Sequence, residues 1–192
     1  MEEVCERENC KQALKRVKAN KGSAGVDGMT VQQLPEHLKQ HWAVIREQLL
    51  SGTYQPQPVR RVEIPKPDGG VRKLGIPTVL DRFIQQAVMQ VLQRRWDRTF
   101  SEHSYGFRPG RSAHQAASVA RQRCWRYDWV LDLDIKSFFD KIDWELLLRA
   151  VRRHTDCRWV LLYIERWLKA PRAHAGRHAG EPRERDSAGG RG

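Results

Sequence analysis

The stretch VLDLDIKSFFDKID, residues 130–143, carries the densest chemistry of the chain and sets the expected fold. From Trp129 to Ile135 the stretch is apolar except for Asp132 and Asp134, which alternate with Leu131, Leu133 and Ile135. Successive side chains of a β-strand point to opposite faces, so this alternation predicts a strand. Asp132 and Asp134 then share one face of it. The opposite face is apolar and is expected to be buried; it carries Leu131, Leu133 and Ile135.

Two acids on one face of a strand have two interpretations. Carboxylate oxygens are the hard ligands that Mg²⁺ prefers, and a site for phosphoryl transfer uses few of them beside substrate phosphates and water. Alternatively, Asp132 and Asp134 lie on a solvated edge strand and pair with some of the many arginines. Strand periodicity alone leaves both interpretations open.

Upstream of this stretch the sequence predicts a β-hairpin. Residues 59–64 and 71–76 are two short runs that each begin with Val and end with Ile, and they flank the turn sequence Pro-Lys-Pro-Asp-Gly-Gly at 65–70. Glycine and proline clusters between two such runs are typical of a hairpin loop. We therefore expect a pair of antiparallel strands there.

Helical spacing of apolar residues predicts six helices around these strands. The fourth has a small-residue face suited to close packing, and Asp81 and Asp143 are the expected N-terminal caps of the third and fifth. The helices are marked by Cys10–Val17, Pro35–Leu49 ending at Ser51-Gly52, Asp81–Leu92, Ala113–Cys124, Asp143–Val151 and Trp159–Leu168. Helices mixed with a few strands place the chain in the α+β class.

Composition favours a polyanionic partner. The chain has 192 residues, with 35 Lys+Arg against 23 Asp+Glu, a net charge of +12. Lys and Arg neutralise phosphates, and this term dominates nucleic-acid affinity, so nucleic acid is the first expectation. A merely basic, soluble protein is the alternative.

The longest apolar run, residues 159–164, is far shorter than the about 20 residues of a membrane span. The acidic N-terminus lacks the apolar stretch of a signal peptide, so we expect no membrane association and a cytoplasmic location.

The last 22 residues, 171–192, differ from the rest of the chain. They contain five Arg and three acids but no Val, Ile, Leu, Met, Phe, Tyr, Trp or Cys. A segment that cannot bury apolar area does not offset its ordering entropy, so residues 171–192 are predicted to be disordered. They do not create the basic character, because residues 1–170 keep 30 basic and 20 acidic groups, or +10.

Four sequence motifs resemble, in the same order, those of reverse transcriptases encoded by group II introns. Asp134-Ile-Lys-Ser-Phe-Phe-Asp140 resembles the first catalytic motif of that family, D-I-x-x-x-F-D. The others, which resemble a family signature, the fingers hairpin and the N-terminal extension, lie at 105–116, 64–82 and 20–30. Together they cover about residues 15–145. The resemblance implies an N-terminal extension at 1–50 and reverse transcriptase fingers with a partial palm at 51–170.

The resemblance also implies roles at the carboxylate stretch. Asp134, helped by the backbone carbonyl of Ile135, would ligate two catalytic Mg²⁺ ions that activate a primer 3′-hydroxyl and stabilise the leaving pyrophosphate. Asp132 is not the matched ligand, and we expect an orienting or solvated acid there. Phe139 matches the aromatic gate that selects deoxynucleotides by excluding a 2′-hydroxyl. The alternative for Phe139 is a core residue beside Phe138.

Four cations receive roles from the same resemblance. Lys66 and Arg72 match the fingers residues that clamp the incoming dNTP; their alternative is that both are solvated surface charges. Arg108 and Arg111 lie within the signature at 105–116, in a glycine- and proline-bent loop that can approach a phosphate chain closely, so we expect template or primer contacts there. The alternative there is a structural arginine paired with an acid such as Glu102.

The family's catalytic centre also needs an adjacent Asp-Asp pair and a preceding Gln-Gly turn, and the chain contains no Asp-Asp pair. The resemblance fades near Leu168–Ala170, and the Arg, Gly and Ala bias beyond it is typical of a shifted reading frame. We therefore expect an RNA-directed DNA polymerase fragment that is inactive alone. Its expected partners are intron or template RNA, a DNA primer and dNTP. The alternatives are a non-enzymatic module that binds intron RNA, and a pseudogene product.

Overall fold

The computed structural model describes residues 1–67 and 69–174. Seven α-helices and three β-strands make up this part of the chain. In chain order they are α1 (Arg7–Ala19), α2 (Leu34–Ser51), β1 (Val59–Pro65), β2 (Val71–Ile76), α3 (Val79–Trp96), α4 (Ala113–Cys124), α5 (Phe138–Lys141), α6 (Trp144–Arg152), α7 (Arg158–Leu168) and β3 (Arg172–His174). All six predicted helices and the predicted hairpin are present, and the mixture agrees with the α+β class.

The hairpin forms as predicted. Strands β1 and β2 are antiparallel, with Ile64 opposite Arg72. The turn is closed by the Lys66 amide, which donates to the Gly70 carbonyl at 2.7 Å, and Gly69 takes a φ of 84°. Only glycine adopts that left-handed conformation without crowding a Cβ, which explains the glycine at position 69 of the turn.

A third strand corrects the expectation that the chain is disordered from residue 171. Strand β3 pairs in parallel with β1, with Val59 opposite Arg172, and the Val59 amide donates to the Pro171 carbonyl at 2.8 Å. Backbone hydrogen bonds need no apolar side chain, so a segment poor in hydrophobic residues can still add to a sheet edge. The same prediction for residues 175–192 concerns residues outside the described part of the chain.

Helix α3 is the centre of the core. Its apolar residues recur every three or four positions, so they face α1, α2 and α7 at once. Eight of the buried core residues are Ala13, Leu34, Leu49, Val79, Phe83, Ile84, Val88 and Tyr163. Each large side chain buried this fully contributes about 1.5–3 kcal/mol relative to exposure.

Two buried amides fix α1 against α3. The Asn9 Nδ2 donates to the Ala87 carbonyl at 3.0 Å, and the Gln90 Nε2 donates to the Asn9 Oδ1 at 2.9 Å. Buried polar groups are costly unless they are paired, so these bonds select one register between the two helices.

The N-terminus of α3 corrects the predicted cap. Thr78, rather than Asp81, is the capping residue, and its Oγ1 accepts from the Asp81 amide at 3.1 Å. Asp81 lies in the first turn and is only 1% exposed. A carboxylate this deep in a core needs several donors to replace its hydration.

Four neutral donors from three separate parts of the chain surround the Asp81 carboxylate. The Tyr54 hydroxyl and the Trp167 Nε1 donate to Oδ1 at 2.9 Å and 3.3 Å. The Thr78 hydroxyl and the Gln57 amide donate to Oδ2 at 2.7 Å and 3.1 Å. This carboxylate therefore joins the segment after α2, the start of α3 and the end of α7.

The predicted strand at Trp129–Ile135 does not form, and this prediction is wrong. The segment has no regular structure, and its intended buried face is open, with Leu131 81% and Leu133 80% exposed. A strand needs a neighbour to satisfy its amides and carbonyls. In the described residues the only sheet has the order β2-β1-β3, and this segment pairs with none of its strands. The close packing expected of α4 is also wrong, because none of its residues is buried.

Replacing the Asp81 carboxylate by an amide tests its place in the core. We expect Asp81→Asn to lower the free energy of unfolding by about 2–4 kcal/mol, since the new NH₂ group faces buried donors that each cost about 1–3 kcal/mol when unpaired. Urea unfolding followed by far-UV circular dichroism measures the change. The exposed Asp156→Asn is the matched control and should change stability by less than about 0.5 kcal/mol. Equal stability of the two variants would contradict the role of Asp81.

Candidate nucleic-acid interface

Arg108 organises the loop between α3 and α4. Its guanidinium forms an ion pair with Asp97, with Nε donating to Oδ1 at 2.9 Å and one terminal nitrogen donating to Oδ2 at 3.3 Å. The other terminal nitrogen donates to the carbonyls of Ser101 and Ser104, at 2.6 Å and 3.0 Å. The side chain is only 8% exposed. A planar guanidinium with five donors can join one carboxylate to several carbonyls, which an ammonium group cannot.

These bonds match the structural alternative for Arg108, with Asp97 as the acid instead of Glu102. Their effect on Asp97 is direct: the hydrogen bond from Arg108 holds the pKa of that carboxyl below its ordinary value. The ion pair is therefore present at neutral pH and is lost only in acid, as the pH falls through this lowered pKa. A contact of Arg108 with nucleic acid stays a prediction.

Arg111 presents its charge differently. It is exposed, and its guanidinium carbon lies 5.6 Å from the centre of the Tyr105 ring. Stacking on the aromatic face orients the guanidinium but leaves its donors available for phosphate oxygens. Of the two arginines predicted to contact nucleic acid, Arg111 is the one whose guanidinium is accessible to a phosphate.

A second pair of this kind, which was not among the predicted site residues, lies on α4. The guanidinium carbon of Arg121 lies 5.0 Å from the centre of the Trp125 ring, and Trp125 is 75% exposed. The helix begins with a capping box, in which Ser112 accepts from the Gln115 amide and the Gln115 side chain accepts from the Ser112 amide. Spacing of four residues puts Arg121 and Trp125 on one helical face, and that spacing could have predicted the pair.

Asp134 and Ile135, the predicted metal ligands, lie in the exposed irregular segment. Both are exposed, and the Ile135 carbonyl accepts a turn hydrogen bond from the Phe138 amide at 3.3 Å. The described residues contain no group of three His, Cys, Asp or Glu side chains that could hold a metal ion. One carboxylate with one neighbouring carbonyl is less than the near-octahedral oxygen shell that Mg²⁺ demands. The described residues therefore do not fit a two-metal site.

Phe139 is not a core residue. It is 88% exposed, and the centre of its ring lies 5.3 Å from the centre of the Phe138 ring in an edge-to-face arrangement. Both rings border an open cavity of about 560 Å³ between the hairpin, α6 and α7. The core alternative for Phe139 is wrong in this structure, and its role as a sugar gate stays a prediction.

The cavity that Phe139 borders does not include the two predicted triphosphate ligands. Lys66 and Arg72 are exposed on the hairpin and do not line the cavity that Phe139 borders. Its cationic lining consists of Arg61, Lys73 and Arg172. The interpretation of Lys66 and Arg72 as solvated charges therefore stays open beside the predicted one.

Comparisons with known proteins agree with the motifs. Residues 64–187 match the family described as reverse transcriptase (RNA-dependent DNA polymerase). The chain therefore belongs to the reverse transcriptase family. The match continues past Ala170, so the expected end of the similarity near Leu168–Ala170 is wrong.

Its relatives include proteins of group II introns, as the motif resemblance implies. The chain is 41% identical over 144 residues to Protein YkfC of Escherichia coli, covering 72% of this chain and 38% of that protein. It is 38% identical over 127 residues to the group II intron-encoded protein LtrA of Lactococcus lactis, covering 66% and 21%. Nuclear intron maturase 1 of Arabidopsis thaliana is 29% identical over 93 residues, covering 48% and 13%. The matched part of this chain spans well under half of each relative.

No helix in the described part of the chain is long and apolar enough to cross a membrane.

The Arg108 network predicts a change in loop rigidity. We expect Arg108→Ala to speed chymotryptic cleavage after Tyr105 and Phe107 several-fold, because the loop carbonyls and Asp97 lose their common donor. Cleavage rates at neutral pH, read by mass spectrometry, measure this. The matched control Arg149→Ala removes an exposed guanidinium on α6, outside the loop, and should leave the rates unchanged. Equal rates in both variants would remove Arg108 as the organiser of the loop.

Proposed function

We propose that this chain is an RNA-binding part of a group II intron-type reverse transcriptase, and that it does not copy RNA by itself. The observation that carries the proposal is the Arg108-fixed loop with its exposed Arg111, inside the region that matches the family. Residues 64–187 belong to that match, so the loop and α4 lie within it. The proposed ligand is intron or template RNA.

Charge and aromatic surface support RNA as the ligand. The chain carries +12, and the loop 103–112 holds two arginines and no acid. The Arg111–Tyr105 and Arg121–Trp125 pairs add aromatic rings beside these charges. Single-stranded nucleic acid is bound by this combination, since cations track the backbone while rings stack on bases. The relatives' printed names, which include intron-encoded proteins and intron maturases, favour RNA over DNA for this surface.

The lack of independent polymerisation follows from the carboxylates. Asp134 is the one matched metal ligand of the first motif, and the chain contains no Asp-Asp pair to join it. Two-metal catalysis needs a clamp on both the attacking and the leaving oxygen. We propose that the binding of an incoming dNTP by Lys66, Arg72 and Phe139 leads to polymerisation only where the remaining catalytic carboxylates are supplied.

RNA affinity should fall steeply with salt. We expect at least a tenfold loss between about 50 and 200 mM KCl, because each phosphate contact contributes a slope of about −0.7 in log K against log salt for a single strand. Fluorescence anisotropy with a labelled unstructured RNA measures it. The double variant Arg111→Gln/Arg121→Gln should flatten the slope. The matched control Lys15→Gln/Lys18→Gln removes the same charge from α1 and should retain most of the slope. A flat dependence in the unsubstituted protein would overturn the proposal.

Primer extension tests the second half of the proposal. The purified chain with an RNA template, DNA primer, dNTPs and Mg²⁺ should give no product, since Asp134 has no adjacent carboxylate pair. An intact relative assayed in the same buffer is the positive control. Template-dependent extension that disappears in Asp134→Ala would show that the site is complete in this protein, contrary to the proposal.

A further inference from the structure

We propose that Phe107 is a stacking platform for an unpaired RNA base, with Arg111 beside it for the adjoining phosphate. This inference rests on the proposed function, that the chain binds RNA. It adds a stacking contact between the Phe107 ring and the face of one base. Phe107 was not among the predicted site residues.

The exposure of Phe107 sets it apart. Its side chain is fully exposed, at 104% relative area, the highest value among the large hydrophobic residues of the described chain. An exposed phenylalanine ring is unfavourable, because both apolar faces contact water and the side chain has no polar atom that can form a hydrogen bond with it. A ring held this far into solvent is available to a flat apolar ligand.

The backbone at Phe107 is also unusual. Its φ is 55°, in the left-handed region that crowds the Cβ of an L-residue. Bulky residues rarely adopt that conformation, and they keep it only where surrounding bonds over-determine it. The neighbouring residues provide such bonds.

Both sides of Phe107 are held in place. The Gln93 Nε2, from α3, donates to the Phe107 carbonyl at 3.3 Å. The next residue, Arg108, is fixed by Asp97 and the loop carbonyls, and its own carbonyl accepts from the Arg111 amide at 3.3 Å. The ring is therefore presented from a rigid support, which reduces the entropy lost on binding.

The surroundings of Phe107 suit a nucleotide. Gly106 and Gly110 lie in open space, since a Cβ added at either would meet no atom within 4 Å. A sugar-phosphate backbone can therefore approach the loop closely. Arg111 supplies the charge for a phosphate, and the segment 103–112 has no acid to repel one. These features favour RNA over an apolar protein segment as the ligand of the ring.

Two substitutions at Phe107 separate stacking from general apolar contact. Phe107→Leu keeps an apolar side chain but removes the ring, and should weaken binding of a labelled oligo(A) RNA about 5- to 150-fold, the range found for loss of one stacked base. Phe107→Trp keeps a ring and should restore the affinity. Anisotropy titrations in 50 mM KCl measure both, and circular dichroism with urea unfolding confirms that each variant is folded.

Salt dependence separates the ring from the charge. Phe107→Leu should leave the slope of log K against log salt unchanged, whereas Arg111→Gln should reduce its magnitude by about 0.7. Oligo(U) RNA should lose less affinity than oligo(A) in Phe107→Leu, because a uracil ring offers a smaller stacking face.

The outcomes distinguish this inference from the function on which it rests. If the unsubstituted protein does not bind RNA, the proposed function fails and this inference falls with it. If it binds RNA in a salt-dependent way and folded Phe107→Leu binds equally well, only the stacking role is overturned. A Phe107→Leu variant that binds RNA normally but changes the oligomeric state would assign the ring to a protein contact and overturn the inference as well.

Discussion

The buried carboxylate of Asp81 is the constraint on which the rest of the structure depends. Its four donors come from the segment that follows α2, from the start of α3 and from α7. Near it, the Arg166 guanidinium donates to the carbonyls of Gly52 and Tyr54 and so fastens α7 to the same turn. Because β3 follows α7 directly, the position of α7 also decides where β3 meets β1. One buried acid thus connects the helical core to the small sheet.

The described chain divides into a tightly bonded part and an exposed part. Helices α1, α2, α3 and α7 share one buried core, whereas α4 buries none of its residues and the segment 128–135 has no regular structure. Trp129, Leu131 and Leu133 are each at least 80% exposed. The loop that Arg108 fixes shares features of both parts, since its backbone is held by hydrogen bonds while several of its side chains are exposed. This combination of rigidity and access makes the loop the best candidate for binding RNA.

Most of the helices and the hairpin could be predicted from the sequence because their signals are local. Apolar residues spaced three or four apart predict α1, α2, α3 and α7, and the Pro-Asp-Gly-Gly turn predicts β1 and β2. The cap at Asp143 was also correct, since its carboxylate accepts from the amides of Glu145 and Leu146. At α3 the predicted cap is three residues late, because Thr78 and Asp81 are both good capping residues by type. Only the hydrogen bond that the Thr78 Oγ1 accepts from the Asp81 amide identifies Thr78 as the cap.

The errors concern features that depend on distant parts of the chain. Alternation at Trp129–Ile135 predicts a strand, but whether a strand forms depends on a partner that the described residues do not provide. Strand β3 has the opposite character: its composition predicts disorder, and a partner strand nearby orders it. The acid that pairs with Arg108 is Asp97, eleven positions away, and periodicity cannot select it over Glu102. Phe107 carries no sequence signal at all, because its exposure follows from the loop conformation.

Hydrogen–deuterium exchange of the whole chain, with and without saturating single-stranded RNA, tests the central claim most directly: a core organised around Asp81 supports an RNA-binding loop. The account predicts slow exchange in α3 and α7 in both states, fast exchange at 128–135 without RNA, and new protection on RNA binding at 103–112. Protection of 128–135 equal to that of α3 in the free protein would contradict the structural part. An unchanged exchange rate at 103–112 under conditions where RNA is bound would contradict the functional part.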